Sequence, residues 1–389
     1  MAVSRRTWKK PSGDMGSAWV VRYYDESGKY RTKTFDKERK AKEWEAQTRV
    51  ELKKGIHRPD STSLTVNEAA KLWLDRCKSD GLERSTIQDY EIECRRHIVP
   101  AMVPEGTPNE WKGKFGDVKL SQLTSPMCDA FAIQLPKTAT RITSQRVLTR
   151  FKTVLKDAQR RGLIAYNPAT PIRIRTNWRE KVSKRIGEHI PSKADVRAML
   201  GAAKGYWYPL FLTTAFTGMR TSELRSLTWS HVDLESRVIQ VRQRVDRYGI
   251  IGPCKSVSGY REIQIGDEVT EELRRWKLIC PPGPLGLVFP NKNGHLLTHN
   301  HILYRGWFPL QLALGMKRPT GERKYRFHSL RYFFASLMIE QGTSPKRLQS
   351  LLGHGTLSMT MDTYGHLFPP SEDETARINN AVASVLVVA

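Results

Sequence analysis

The chain has little cysteine, and none of it is spaced for structural work. Its five cysteines (Cys77, Cys94, Cys128, Cys254 and Cys280) are odd in number, scattered over 389 residues and never in a CxxC pair. That pattern argues against a disulfide framework or a zinc site and points to reduced thiols in a cytoplasmic setting. Long apolar runs are missing as well. Nothing approaches the ~20 residues needed to span a bilayer, and the basic N-terminus lacks the apolar stretch of a signal peptide. A cytoplasmic protein with no membrane partner is therefore expected. There is no HExxH pair, no P-loop and no carboxylate cluster of the two-metal kind, so neither a metal nor any cofactor is expected. Negative charge is scarce too, with 39 Asp and Glu against 64 Lys and Arg.

What is present is a large positive excess, +25 at neutral pH. Residues 1–60 carry 16 Lys and Arg against 9 Asp and Glu, residues 61–175 carry 19 against 12, and residues 176–389 carry 29 against 18. No single tail holds the excess, so the implied partner touches every part of the chain, as a wrapped polyphosphate backbone does. The length leaves room for two or three domains, with a C-terminal unit of about 200 residues able to bury a full core.

The pattern predicts a mainly α, multidomain protein with small β-sheets. Trp19–Tyr24 and Tyr30–Phe35 read as strands joined by a turn at Asp25–Gly28, followed by a helix over 37–54 with Ala41, Trp44 and Thr48 on one side and Gly55 as its stop. A sheet carrying Arg22, Arg31 and Lys33 suits a DNA groove, with the helix packed behind it. Ser61–Ser63 reads as a linker, and Thr65 with Glu68 as a capping box. Helices are expected from there, from Ser85 towards His97, over 125–134 and over 143–161. Residues 99–116 form a Pro/Gly-rich loop between them. The last of these helices is strongly basic: Arg141, Arg146, Arg150, Lys152, Lys156, Arg160 and Arg161 stand against one acid, Asp157. Residues 173–193 read as a linker. Beyond it the chain is mostly helical, with strands at Arg237–Val245 and ending at Glu262–Ile265. This divides the chain into 1–60 (sheet plus helix), 61–172 (helical) and 173–389 (mixed α/β).

Three blocks in the last segment carry chemistry: TGMRTSEL with Arg220, HSLR with His328 and Arg331, and LLGHGTLSMTMDTY with His354 and Tyr364. Two arginines, two histidines and a tyrosine suit attack of a phenolate on a phosphodiester. That reaction needs a nucleophile, cations for the equatorial oxygens and a proton for the leaving oxygen. Arginine suits the clamp because its planar fork stays charged and contacts two phosphate oxygens at once. Gly218 is expected to allow close backbone approach, and Glu223 to orient an arginine or histidine from behind. Ser344 and Pro345 start a short helix that Gly353 ends. His354 then sits at a helix C-terminus, where the protonated form is expected to be favoured. Tyr364, with an ordinary pKa of about 10, needs cations around it to become a phenolate. His366 reads as structural or surface.

These blocks together resemble the tyrosine recombinase, or phage integrase, family. The resemblance implies a site-specific DNA recombinase working through a 3′-phosphotyrosyl link, integrating or excising a phage or mobile element. It implies an arm-site DNA-binding domain, a core-binding domain with Arg146, Arg150, Lys152, Lys156 and Arg160 on the DNA, and a catalytic domain. Lys255 is similar to the family's β-hairpin lysine and would protonate the leaving 5′ oxygen, with Arg261 a rival for that role. Tyr332 stands where histidine is common in the family. Double-stranded DNA at core and arm sites is the implied partner of a homo-tetramer, with DNA-bending and directionality factors beside it. A capping box at Ser371–Glu374 leads into Ile378, Ala381, Val382, Val385 and Leu386 at helical spacing. That tail packs on its own domain or, as the resemblance implies, on a neighbouring protomer. The implied setting is bacterial or phage-encoded and nucleoid-associated. A type IB topoisomerase-like relaxing enzyme and a catalytically silent DNA-binding regulator are the alternative readings.

Overall fold

Antiparallel pairing at the N-terminus builds a three-stranded sheet from β1 (Ala2–Lys9), β2 (Met15–Tyr24) and β3 (Tyr30–Phe35), in that order. The computed structural model describes residues 1–9, 11–25, 28–53, 57–102, 113–175, 185–368 and 374–386, in two compact units, Met1–Glu180 and Lys181–Ala389. Strand β1 is an addition to the expected hairpin, and β2 begins four residues earlier than predicted. Helix α1 (Glu38–Lys53) lays Ala41, Trp44 and Thr48 on the sheet, with the Trp44 ring 5.4 Å from Tyr23 and 5.6 Å from Phe35. Gly55, its expected stop, lies outside the described residues.

The register corrects the expected cationic face. Val21 stands opposite Lys33, Arg22 opposite Thr32 and Tyr23 opposite Arg31. Opposed residues share a face, and neighbours along a strand alternate. Arg31 and Lys33 therefore lie with Tyr23 on the helix side, and Arg22 alone of the three lies on the open side. Arg31 pairs with Asp25 at 2.8 Å and reaches the Ser61 hydroxyl at 3.0 Å. Lys33 pairs with Asp60 at 2.8 Å and lies 5.0 Å over the Trp44 ring.

Asp60 also accepts from the Ser121 hydroxyl at 2.7 Å and Gln122 Nε2 at 3.4 Å, while Lys119 Nζ bonds to its backbone carbonyl. The expected linker at Ser61–Ser63 is thus a polar joint between the sheet and the helices that follow. Burial works against the Asp60 carboxylate, but Lys33 and Ser121 hold its pKa below the ordinary value. Beyond the joint, α2 (Val66–Ser79) starts at the Thr65–Glu68 capping box, and α3 (Arg84–Glu93) runs into a wide turn over Cys94–Ile98. Helices α4 (Ser125–Thr138) and α5 (Arg141–Arg160) complete a core around Trp73, Phe115, Phe131 and Phe151. The expected 99–116 loop falls largely outside the described residues.

The basic face of α5 is more occupied than its composition suggests. Asp157 is buried and takes Arg76, Arg160 and Arg161, each at 2.7 Å. Buried Glu93 takes Arg146 at 2.5 Å and Arg150 at 3.0 Å, and Arg150 lies 3.4 Å over the Tyr90 ring. Lys152 donates to the Thr170 carbonyl at 3.0 Å, whereas Lys156 is exposed. A buried carboxylate needs its cation partners, so Arg150 in particular is a structural residue.

The second unit begins with α6 (Lys193–Ala202), α7 (Trp207–Thr217) and α8 (Thr221–Arg225). A sheet of β4 (Val232–Asp233), β5 (Val238–Val241) and β8 (Arg261–Gln264) follows in the order β4-β5-β8, and β6 (Gln243–Val245) pairs separately with β7 (Ile251–Pro253). The single strand expected at Arg237–Val245 is therefore two, because the chain changes partners after Val241 and Gln243 Nε2 bonds the Ser226 carbonyl at 2.6 Å. Helices α9 (Asp267–Ile279), α10 (His299–His301) and α11 (Phe308–Ala313) pack around Phe211, Trp307 and Phe327. Then come α12 (Ser329–Glu340), α13 (Pro345–Leu352), α14 (Leu357–Tyr364) and α15 (Glu374–Leu386). The Ser371–Glu374 capping box lies outside the described residues apart from Glu374. Most of the expected 173–193 linker, residues 176–184, does too.

Replacing Asp60 with alanine should leave Lys33 and Ser121 without an acceptor and loosen the joint by about 1–2 kcal/mol. Amide exchange over residues 60–63 and 119–122 should then quicken roughly tenfold; unchanged exchange would show that the joint contributes nothing.

Candidate active site

Helix α7 ends at Gly218 in a left-handed conformation (φ 60°), where a Cβ would meet Phe334 Cδ1 at 2.4 Å. Glycine is required there by the turn and by the ring packed on it, which corrects the expectation that a substrate approaches this backbone. The turn sets Arg220 at the N-cap of α8. Its backbone N–H donates to Glu223 Oε2 at 2.9 Å, and its Nη1 donates to Glu223 Oε1 at 2.7 Å. Glu223 is itself buried and accepts from Arg261 Nη2 at 2.8 Å. The expected positioning carboxylate therefore serves two guanidiniums, Arg220 on one oxygen and Arg261 on the other.

Arg331, on the first turn of α12, is buried and donates to the Gly218 carbonyl at 2.7 Å. The end of α13 draws all three arginines together. Leu351 O accepts from Arg261 Nε at 2.8 Å, Leu352 O from Arg331 Nη2 at 2.5 Å, and Gly353 O from Arg220 Nη2 at 2.9 Å. A helix C-terminus carries orphan carbonyls and partial negative charge, so it seats cations with little rearrangement. Gly353, left-handed at φ 63°, turns the chain so that His354 enters the same space, with its Nδ1 2.9 Å from the Thr360 hydroxyl.

Tyr364, the last residue of α14, is 1% exposed. The Arg331 charge acts on its phenol, its ring stacks on His354 with centroids 6.2 Å apart, and Tyr332 meets it edge-on at 5.9 Å. The structure thus brings Arg220, Arg331, His354 and Tyr364 of one chain together. His328 stands at the N-cap of α12, exposed, 5.1 Å from the Tyr332 ring.

Two electrostatic expectations are corrected. Burial, then the Arg331, Arg220 and Arg261 charges, push His354 down to about 4, so it is neutral at pH 7 despite its place after a helix C-terminus. Burial pushes the Tyr364 phenol up, and the lowering by Arg331 does not overcome it, so the resting residue is a phenol. Burial and the neighbouring Arg220 lower Arg331 to about 10, which still leaves it charged.

The phage integrase family profile matches residues 192–369, the segment that contains every one of these groups. The chain carries a phage integrase family domain. A tyrosine recombinase XerC-like protein of Caldanaerobacter subterraneus subsp. tengcongensis is 24% identical over 92% of this chain and 93% of its own length. The ICEBs1 integrase of Bacillus subtilis is 27% identical over 43% of this chain and 47% of its own length. Among solved structures, the Tn1549 transposon integrase in complex with a circular intermediate DNA superposes with a TM-score of 0.63, at 20% identity, over 82% of this chain and 100% of that one. A lambda integrase dimer bound to a COC′ core site superposes with a TM-score of 0.56, at 18% identity, over 95% and 97%. These likenesses establish the multidomain tyrosine recombinase fold.

Lys255, within that domain, is exposed in the loop between β7 and β8, one residue beyond Cys254. It is not at a hairpin tip as expected, because the tight β6–β7 turn falls earlier, at Asp246–Ile250. Arg261, the expected rival for its role, is buried and sets its three nitrogens on Leu351, Gly259 and Glu223, so it serves as an internal anchor. Sequence reasoning singled out Tyr332 but not its place between His328 and Tyr364, and it did not foresee Thr360 on His354. The one available signal was the helical i, i+4 spacing of Tyr332 from His328. His366 is exposed, as expected.

Burial opposes the Glu223 carboxylate, but Arg261 and then Arg220 bring it down to about 2. Because the folded pKa is depressed, the stabilisation is complete above the unfolded value of about 4.5 and is lost as pH falls towards 2; a shift of this size is worth on the order of 3 kcal/mol. Glu223→Gln should therefore melt well below the parent at neutral pH, and the gap in Tm should close between about pH 4.5 and pH 2. A gap independent of pH would contradict this account.

Proposed function

We propose that the chain is a site-specific DNA recombinase, the integrase of a phage or mobile element, and that Tyr364 is its nucleophile. The carrying observation is that a buried tyrosine on α14 lies in the field of Arg331, while Arg331 and Arg220 rest on successive carbonyls of one helix end. Each guanidinium is anchored by fixed protein acceptors and keeps further N–H groups for a phosphate between them. The positive charge is thus preorganised where transition-state charge develops.

In the reaction, Tyr364 Oη forms a bond to phosphorus as the bond from phosphorus to the 5′ oxygen breaks. Lys255 gives its proton to that oxygen, and the phenolic proton passes to His328. Neutral His354 accepts from Thr360 through Nδ1 and donates from Nε2 to a phosphate oxygen. The 3′-phosphotyrosyl link keeps the bond energy, and the 5′ hydroxyl of another strand attacks it to rejoin. We assign residues 1–60 to arm sites, 61–172 to the core site and 173–389 to catalysis. Arg22, Arg146, Lys152, Lys156 and Arg160 are left as candidate DNA contacts once Arg31, Lys33 and Arg150 are given to internal pairs.

The related structures include a lambda integrase tetramer bound to a Holliday junction, and a tetramer on paired duplexes suits this chain. Helix α15 leaves Ile378, Val382, Val385 and Leu386 between 49% and 77% exposed. That uncovered stripe supports docking of the tail on a neighbouring protomer. A DNA substrate and five free thiols fit a cytoplasmic enzyme.

On a nicked suicide duplex in EDTA the parent should form a covalent protein–DNA adduct. Tyr364→Phe should bind the same duplex and form none; an adduct surviving that change ends the nucleophile assignment. Arg220→Ala and Arg331→Ala should slow adduct formation at least about 100-fold while changing DNA Kd by less than about fivefold.

A further inference from the structure

We propose that Arg261 is a positioning residue that sets the Lys255 loop and the Arg220 clamp against one another, an inference resting on the recombinase reading above. Arg261 lies at the start of β8, is 8% exposed, and sets each of its three guanidinium nitrogens on a protein acceptor. Its Nε donates to Leu351 O at 2.8 Å, its Nη1 to Gly259 O at 3.1 Å and its Nη2 to Glu223 Oε2 at 2.8 Å.

Each acceptor leads to a different part of the chemistry. Glu223 holds Arg220 through its other oxygen, at 2.7 Å. Leu351 O belongs to the same helix end that receives Arg331 and Arg220 and turns into His354. Gly259 closes the loop that bears Lys255: its N–H bonds Ser256 O at 2.9 Å, and a Cβ there would lie 2.7 Å from Cys254 Cβ. The other side is equally tight, because a Cβ at Gly353 would meet Ser258 O at 2.8 Å and Arg261 Nη1 at 3.0 Å. The lysine loop, Arg261 and the end of α13 therefore pack without slack. Only a planar fork with donors on three nitrogens reaches all three acceptors. Lysine at this position keeps the charge beside Glu223 and loses the two carbonyl bonds.

The test measures single-turnover adduct formation on a suicide duplex with either the natural 5′ oxygen or a 5′-bridging sulfur at the scissile bond. A thiolate leaves without a proton, so the sulfur-to-oxygen rate ratio reports how well the acid is placed. Lys255→Ala should lose the oxygen substrate and keep the sulfur one. Arg261→Met and Arg261→Lys should cut the oxygen rate about 100-fold and about tenfold and raise the ratio at least about tenfold over the parent, with DNA Kd little changed. Because Arg261→Met leaves a buried carboxylate short of a partner, Arg261→Lys carries the test if the methionine variant does not fold. A folded variant with the parent's ratio overturns the positioning role while leaving the recombinase reading intact. A parent that forms no adduct on either substrate overturns both.

Discussion

The catalytic unit depends on how three guanidiniums are held in one buried place. Like charges at a few ångströms repel strongly away from water, and Arg331 is buried with Arg220 and Arg261 nearby. One carboxylate, Glu223, offsets part of this. The remainder falls to carbonyl dipoles: Leu351, Leu352 and Gly353 each take one guanidinium, and Gly218 takes Arg331 a second time. The end of α13 is the counter-charge of the site as much as its scaffold. Burial first, and then the same field, make His354 neutral although it follows a helix C-terminus. A buried imidazole beside three fixed cations gains more by giving up its proton than the helix end returns.

Much of the site was legible in the sequence because its groups lie in short blocks with helical spacing and recognisable caps. Gly218 and Gly353 fall at left-handed helix ends, and Ser344 caps α13. The errors have a common physical origin, since each turns on a partner distant in the chain. Arg150 looks like a phosphate contact until Glu93, 57 residues earlier, is seen to be buried beneath it. Arg31 and Lys33 look exposed until the strand register sets Asp25 and Asp60 against them. Strand β1, mostly polar and exposed, carries no buried alternation to read. Arg237–Val245 reads as one strand because local pattern does not reveal that the pairing partner changes after Val241.

The burial of Tyr364 and the polar joint at Asp60 are two forms of the same economy. A strongly basic chain that must carry its charge to a polyanion first has to fold without that polyanion. Buried carboxylates at Glu93, Asp157 and Glu223 collect arginines in both units. What is left facing outward is the remainder: exposed cations such as Arg22 and Lys156, and N–H groups that anchored arginines still offer.

On the proposed recombinase reading, the order of proton transfers follows from the signs of these effects. A phosphodiester placed between Arg220 and Arg331 adds negative charge beside His354 and Tyr364. An anion raises the pKa of a neighbouring imidazole and of a neighbouring phenol alike. His354 thereby becomes a better donor to the phosphate once DNA is bound, whereas Tyr364, already raised by burial, becomes still harder to ionise. A phenolate formed before attack is therefore the least accessible species on the path. The phenol must give up its proton as its oxygen meets phosphorus, when the charge it gains passes onto oxygens that the guanidiniums already face.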